Sequence, residues 1–217
     1  SDIFTNLPTA RNLAMQKIGG DYISFLDTDD FWNFNKLSCQ VSILKDNNVD
    51  LVYSNYLIKN EKKTYVAKKL SFPRKNIINS LFQHYHIGLL TIIFKKKILN
   101  KFTFNENYSI ITDFDLMINI CKYFKVFGIN EVLATYRVHN TNTTQENILK
   151  YALELSRWYR KNFHKYQEYR NISKVKNLAR YEFAKILIKK NNKKSIIFFK
   201  KLSFSTKLKL ILVYLGF

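Results

Sequence analysis

The sequence predicts an α/β body followed by an α-helical, strongly basic tail. Three observations predict it. Short apolar runs, YISFL at Tyr22–Leu26, DLVY at Asp50–Tyr53 and TIIF at Thr91–Phe94, alternate with stretches of helical spacing, as in layered sheets and helices. From Thr144 onward long helical patterns dominate, and no glycine stands between Ile129 and Leu215. The charge is also uneven: residues 151–217 carry 17 basic and 3 acidic side chains, against 19 and 13 in residues 1–150.

Taken in order, Ala10–Ile18 is a short helix with Thr9 or Asn6 as its cap and Gly19-Gly20 as its stop. Tyr22–Leu26 is a buried strand bounded by glycine and aspartate. Asn35–Lys45 is helical, with Leu37, Val41 and Leu44 on one side, and Asp50–Tyr53 is the second strand. A looser basic segment leads to a helix over Ile77–Phe82 and a strand over Thr91–Phe94. Asp113–Tyr123 is helical, and Phe127–Ile129 and Val132–Arg137 are strands. Helices over Gln145–Tyr166, Ser173–Lys189 and Ser205–Leu215 complete the chain. The predicted division is an α/β region over 1–143 and an α-helical basic tail over 144–217.

With 47% hydrophobic residues and 16% aromatics, the 217-residue chain has ample material for a core and is not a disordered polymer. The net charge of +20 points to an anionic partner surface. Cys39 and Cys121 lie far apart in apolar helical contexts and read as reduced core thiols, which fits a cytoplasmic compartment. No secretory signal pattern opens the sequence, and no apolar run reaches the length of a membrane span.

The stretch YISFLDTDDFW places Asp27, Asp29 and Asp30 directly after an apolar strand and before two aromatics. Like charges this close repel. Open α/β sheets bind ligands beyond the carboxyl ends of their strands. There a hard divalent cation, Mn²⁺ or Mg²⁺, bridges carboxylates to substrate phosphates and removes the repulsion. A solvated turn or a helix cap accommodates the same residues without any ligand. Asp113 and Asp115, in ITDFDL, admit the same two readings, because acidic residues at a helix start are also favoured by its dipole.

The segment ARNLAMQKIGGDYISFLDTDDFW resembles the central signature of family 2 glycosyltransferases: an Ala-Arg-Asn helix, a glycine turn, a strand and an Asp-x-Asp motif. The likeness runs on through Lys36 and Leu37, DLVYSN, TDFDL and YRVHNTN, over about residues 8–145. It implies a GT-A fold, lacking here the strand, Pro-Thr-Tyr-like turn and Asp pair with which family members normally begin. It implies roles as well. Asp29 is the metal ligand. Asp27 meets the ribose or the metal's water shell, Asp30 the donor sugar and Arg11 the donor nucleotide. Asp113 aligns with the general-base carboxylate, although Thr112 stands where Glu is common. Arg137 and His139, in YRVHNT, stand where the family places residues near the diphosphate and metal, Arg137 as a phosphate contact and His139 as a nitrogen ligand.

The expected function is therefore an inverting, metal-dependent transfer of sugar from a nucleotide donor, UDP-linked, to a cell-surface glycan acceptor such as a lipid-linked oligosaccharide of capsule or lipopolysaccharide type. The block pattern of KKSIIFFKKLSFSTKLKLILVYLGF suits a helix on an anionic leaflet, hence a cytoplasmic enzyme peripheral on the plasma membrane. Two alternatives stand beside it. One is a truncated, inactive remnant. The other is a nucleic-acid-binding module built on RWYRKNFHKYQEYR, against which the absence of any recognition signature argues. Nucleic acid is accordingly not an expected partner.

Overall fold

The computed structural model describes residues 6–46, 48–67, 77–139, 147–190, 199–203, 206, 207 and 210. The chain divides into two compact units at Asn142/Thr143. The first contains helices α1 (Leu7–Gln16), α2 (Lys36–Asp46), α3 (Ile77–Gln83) and α4 (Thr112–Tyr123). Its strands are β1 (Tyr22–Ile23), β2 (Phe31–Trp32), β3 (Leu51–Lys59), β4 (Thr64–Val66), β5 (Ile93–Lys95) and β6 (Val126–Arg137). The second unit contains α5 (Ile148–Tyr166) and α6 (Ile172–Lys189).

The six strands form one mixed sheet in the order β1-β5-β3-β6-β2, with β4 added to β3. Only β3 and β6 run parallel. Leu44, Val52, Ile93, Ile129 and Leu133 form a buried cluster on this sheet, packing α2 against β3, β5 and β6. This cluster joins the apolar runs that mark the strands to one helix residue, while Leu81 of α3 and Met117, Ile118 and Ile120 of α4 are buried as well.

Asn6 caps α1, its Oδ1 accepting from the Thr9 amide at 3.0 Å. The first strand is shorter than the run Tyr22–Leu26. After Ile23 the Ser24 hydroxyl donates to the Ile92 carbonyl, and β1 pairs with β5 only at Tyr22 and Ile23. The helix at 36–46 buries the expected side in part: Leu44 is covered and Val41 packs against the core cluster, but the covered face turns toward Lys36 and Gln40. Leu37 is 46% exposed, whereas Lys36, Gln40 and Leu44, spaced by four, are fully covered. Hydrophobic periodicity misses this face because two of its three residues are polar.

The two strands expected over 127–129 and 132–137 are one strand, β6, interrupted by a bulge. Ser54 pairs with Ile129 but Asn55 pairs with Val132. The Asn55 Nδ2 amide donates to the looped-out Asn130 carbonyl at 2.9 Å and so satisfies it. Strand β2 was not expected. Phe31 and Trp32 pair antiparallel with Thr135 and Ala134, and the Asn33 amide donates to Leu133 at 2.9 Å.

In the second unit Trp158 and Tyr166 are fully buried and stack with ring centroids 5.7 Å apart. Ala184, Leu202 and Leu210 form its second cluster. The expected helix over Ser205–Leu215 and most of the basic segment 193–217 lie outside the described residues. No helix among the described residues is long and apolar enough to cross a membrane.

Candidate functional site

The site is built where β1 runs out and β6 ends. Asp27 to Asp30 form a tight turn, closed by the Asp30 amide donating to the Asp27 carbonyl at 3.1 Å. The next two residues enter the sheet as β2 beside β6. That antiparallel pairing carries the acidic turn onto the end of β6, opposite Arg137 and His139. The short aromatic strand is therefore what joins two motifs 110 residues apart.

Each carboxylate in the turn has its own partner. Asp27 is exposed and receives Arg11 Nη2 at 2.9 Å on Oδ1 and 3.3 Å on Oδ2. Asp29 Oδ2 lies 2.6 Å from His139 Nε2, and this hydrogen bond lowers the Asp29 pKa. The Asp29 carbonyl accepts from Arg137 Nε, and the Arg137 guanidinium lies 5.0 Å from the centre of the Phe31 ring. Asp30 is only 6% exposed; its Oδ1 accepts from the Arg137 amide at 2.9 Å. Burial outweighs that bond and raises the Asp30 pKa to about 6, with Asp29 and Asp27 adding repulsion. The self-repulsion of the sequence is thus handled by an arginine, an imidazole and a backbone amide.

Asp113 stands in the first turn of α4. Its Oδ1 accepts from the Phe114 amide at 2.8 Å, and the Tyr85 hydroxyl faces it. The Tyr85 ring meets Phe114 edge-on at 5.5 Å. Burial raises the Asp113 pKa, opposed by the Phe114 amide and by the positive charge of Arg11. Arg11 therefore acts on Asp27 by contact and on Asp113 by its field. Its guanidinium lies 5.4 Å from the centre of the Phe104 ring.

Two tyrosines that the motifs do not single out complete the site. Tyr136 has its pKa raised by burial and then by the negative charges of Asp30, Asp29, Asp27 and Asp113. The Tyr56 pKa is pushed up to about 12 by burial, then by the fields of Tyr136 and Asp113. Tyr136 stands inside YRVHN, next to Arg137, and the pairing of β2 with β6 brings the acidic turn to that end of the strand.

Behind the turn, α2 grips the segment before β5. Trp32 Nε1 donates to Leu90 O at 2.9 Å and Gln40 Nε2 to Thr91 O at 2.8 Å. Between them Lys36 Nζ donates to Ser24 Oγ at 3.1 Å and Ile92 O at 3.3 Å, over the Trp32 ring at 4.4 Å. Burial lowers the Lys36 pKa to about 7. Lys36 thereby ties β1, β5 and α2 to the base of the acidic turn.

Asp29 Oδ2 and His139 Nε2 meet each other directly at 2.6 Å and bring one oxygen and one nitrogen ligand type together. Among the described residues no group of three or more His, Cys, Asp or Glu side chains is placed to hold a metal ion. A carboxylate and an imidazole fit a divalent cation whose remaining positions are taken by water and ligand oxygens.

The glycosyl transferase family 2 profile matches residues 5–112, a span that includes α1, the acidic turn and α2. This chain belongs to glycosyltransferase family 2. The profile ends one residue before Asp113, so Asp113, Arg137 and His139 are placed by the fold and not by that match. Over 121 residues the family 2 chain is 36% identical to the Escherichia coli UDP-Glc:alpha-D-GlcNAc-diphosphoundecaprenol beta-1,3-glucosyltransferase WfgD, covering 56% of this chain and 46% of that protein. It is 31% identical over 151 residues to the corresponding E. coli enzyme WfaP, covering 65% and 59%. The chain thus spans about half the length of these relatives. The crystal structure of residues 1–349 of S. aureus TarS superposes with a TM-score of 0.57 at 14% identity, over 97% of this chain and 59% of that one. Its complex with UDP-GlcNAc gives 0.55 at 15%, over 96% and 61%. These likenesses carry the fold, and the architecture is the GT-A type.

Proposed function

We propose that the family 2 domain transfers a sugar from a UDP-linked donor to a hydroxyl of a glycan carried on a lipid diphosphate. One observation carries this reading: the β1–β2 turn bearing Asp27, Asp29 and Asp30 is held by Arg11 of α1 and by Arg137 and His139 at the end of β6, and the same Arg11 acts by its charge on Asp113 of α4. Supporting it, WfgD and WfaP are named as UDP-Glc-dependent enzymes acting on a GlcNAc-diphosphoundecaprenol, and the TarS complex holds UDP-GlcNAc.

In this reading Asp113 is the general base. An acceptor hydroxyl is a poor nucleophile at neutral pH, and a carboxylate that removes its proton contributes about 10²–10⁴ in rate. The raised pKa of buried Asp113 brings its basicity nearer to what proton removal requires. One base and one displacement give inversion at the anomeric carbon. Arg11 holds Asp27 in place for the nucleotide, Asp30 contacts the donor sugar, and Arg137 faces the phosphates. Asp29 and His139 would hold Mn²⁺ or Mg²⁺, which supplies charge neutralisation for the departing diphosphate.

Asp113→Asn keeps the shape of the side chain and removes the base. Transfer should fall by about 10²–10⁴ while UDP affinity stays within about twofold. Equal turnover by variant and parent would reject Asp113 as the base.

A further inference from the structure

The exposed face of α5 is a surface of one kind, and nothing in the transfer chemistry uses it. Leu149, Leu153, Arg157, Arg160 and His164 follow one another at steps of four, four, three and four, and all are exposed. Lys150 and Lys161 flank them, also exposed. The two leucines are 46% and 50% exposed. No acid interrupts this face, because Glu154, the one acidic residue of α5, is buried at 4% exposure. The next helix has the same bias: Lys174 and Lys176 are exposed, and its Glu182 is paired with Lys185 at 2.8 Å. We propose that this α5 face docks on an anionic lipid bilayer, leucines at the headgroup boundary and arginines at the phosphates.

Two observations choose lipid over nucleic acid. A single-stranded polyanion is held by cations together with exposed aromatic platforms for its bases. No Phe, Tyr or Trp side chain of α5 is fully exposed as such a platform. Trp158 and Tyr166 are fully buried and stacked on each other, and Tyr159 packs on Phe163 with centroids 5.3 Å apart. What the face offers beside its cations is aliphatic, which suits the acyl boundary of a membrane. The helix is also long enough to contact several headgroups at once, since its 19 residues extend about 28 Å. Each Lys or Arg near an anionic leaflet raises partitioning about fivefold.

The experiment is vesicle co-sedimentation of the whole chain, without donor or acceptor, so its outcome is independent of the transferase reading. Vesicles of phosphatidylcholine alone are compared with vesicles containing phosphatidylglycerol. The chain should sediment with the second and not the first. Arg157→Gln/Arg160→Gln should lower partitioning by more than about tenfold. Lys189→Gln/Lys190→Gln, an equal loss of exposed charge at the end of α6, should lower it by less than about threefold. Leu149→Gln/Leu153→Gln should weaken the binding that survives high salt. Equal losses from the two charge pairs would overturn the assignment in favour of general basicity. So would failure to bind anionic vesicles, or retention of an oligonucleotide that depends on Arg157 and Arg160 while vesicle binding does not.

Discussion

At Asp30 the cost of assembling the site is borne by one side chain. It is 6% exposed, and the Arg137 amide and charge compensate its carboxylate only in part. Its folded pKa of about 6 lies above the ordinary 3.8. Asp30 therefore stabilises the fold below about pH 4, and that contribution is lost as pH rises through about 6. Asp30→Asn keeps the acceptor for the Arg137 amide and removes the buried charge. The variant should be more stable than the parent at pH 8, by up to about 3 kcal/mol, with the gap closing below pH 4. Denaturant melts at the two pH values check this; a variant less stable at pH 8 would contradict it. Asp113 carries the same sign, since burial raises its pKa. The acid limb of the transfer rate should consequently sit above the ordinary carboxylate range, which a pH profile of kcat/KM reads directly.

The cysteines are also settled at this scale. Cys39 Sγ lies 2.9 Å from Glu131 Oε2, and burial with that carboxylate raises the thiol to about 11. Burial alone takes Cys121 to about 12. Thiolate is the reactive form, so both should resist alkylation in the folded chain and react together on unfolding. Rapid labelling of either thiol in the native state would contradict that assignment.

At the scale of elements, the Lys36-Gln40 face of α2, with Trp32 of β2 beside it, is the feature that sequence periodicity reads only in part. Of Leu37, Val41 and Leu44 only Leu37 is exposed, but the covered face also carries an amine and an amide, which with the Trp32 indole are aimed at the carbonyls of residues 90–92. Hydropathy has no means of signalling a polar face that is satisfied by backbone. The Trp32 ring favours the charged amine, yet burial dominates and the Lys36 pKa drops to about 7. Unfolding then takes up a proton between about pH 7 and 10, so stability rises with pH across that window. Compared with Lys36→Met, the parent should gain up to about 1.4 kcal/mol per pH unit there. Thermal or urea melts at pH 7 and 9 measure it, and parallel curves for the two proteins would show that Lys36 is charged in the fold. The β2 strand was equally illegible: two aromatics after an acidic turn do not announce which strand they will join. In contrast, α1, β3, β5 and α4 begin within about three residues of their sequence signals, because capping residues and β-rich apolar runs are local cues.

At the scale of the whole molecule, the change of texture near Thr144 and the division at Asn142/Thr143 coincide in position with the shift from mixed charge to almost uniform positive charge. The site lies entirely in the first unit, assembled from α1, one turn, α4 and the last residues of β6. Motif order made those residues legible as candidates, but the neighbours that tune them, Tyr56, Tyr85 and Tyr136, come from pairing distant in sequence. The central claim is that the acidic turn and the end of β6 hold a nucleoside diphosphate through a divalent cation. Calorimetric titration of UDP into the chain, with Mn²⁺ and then with chelator, tests it most directly. Saturable binding that needs Mn²⁺ and falls at least about tenfold in Asp29→Ala is the expected result. UDP binding of equal strength in chelator, or unchanged by Asp29→Ala, would contradict it.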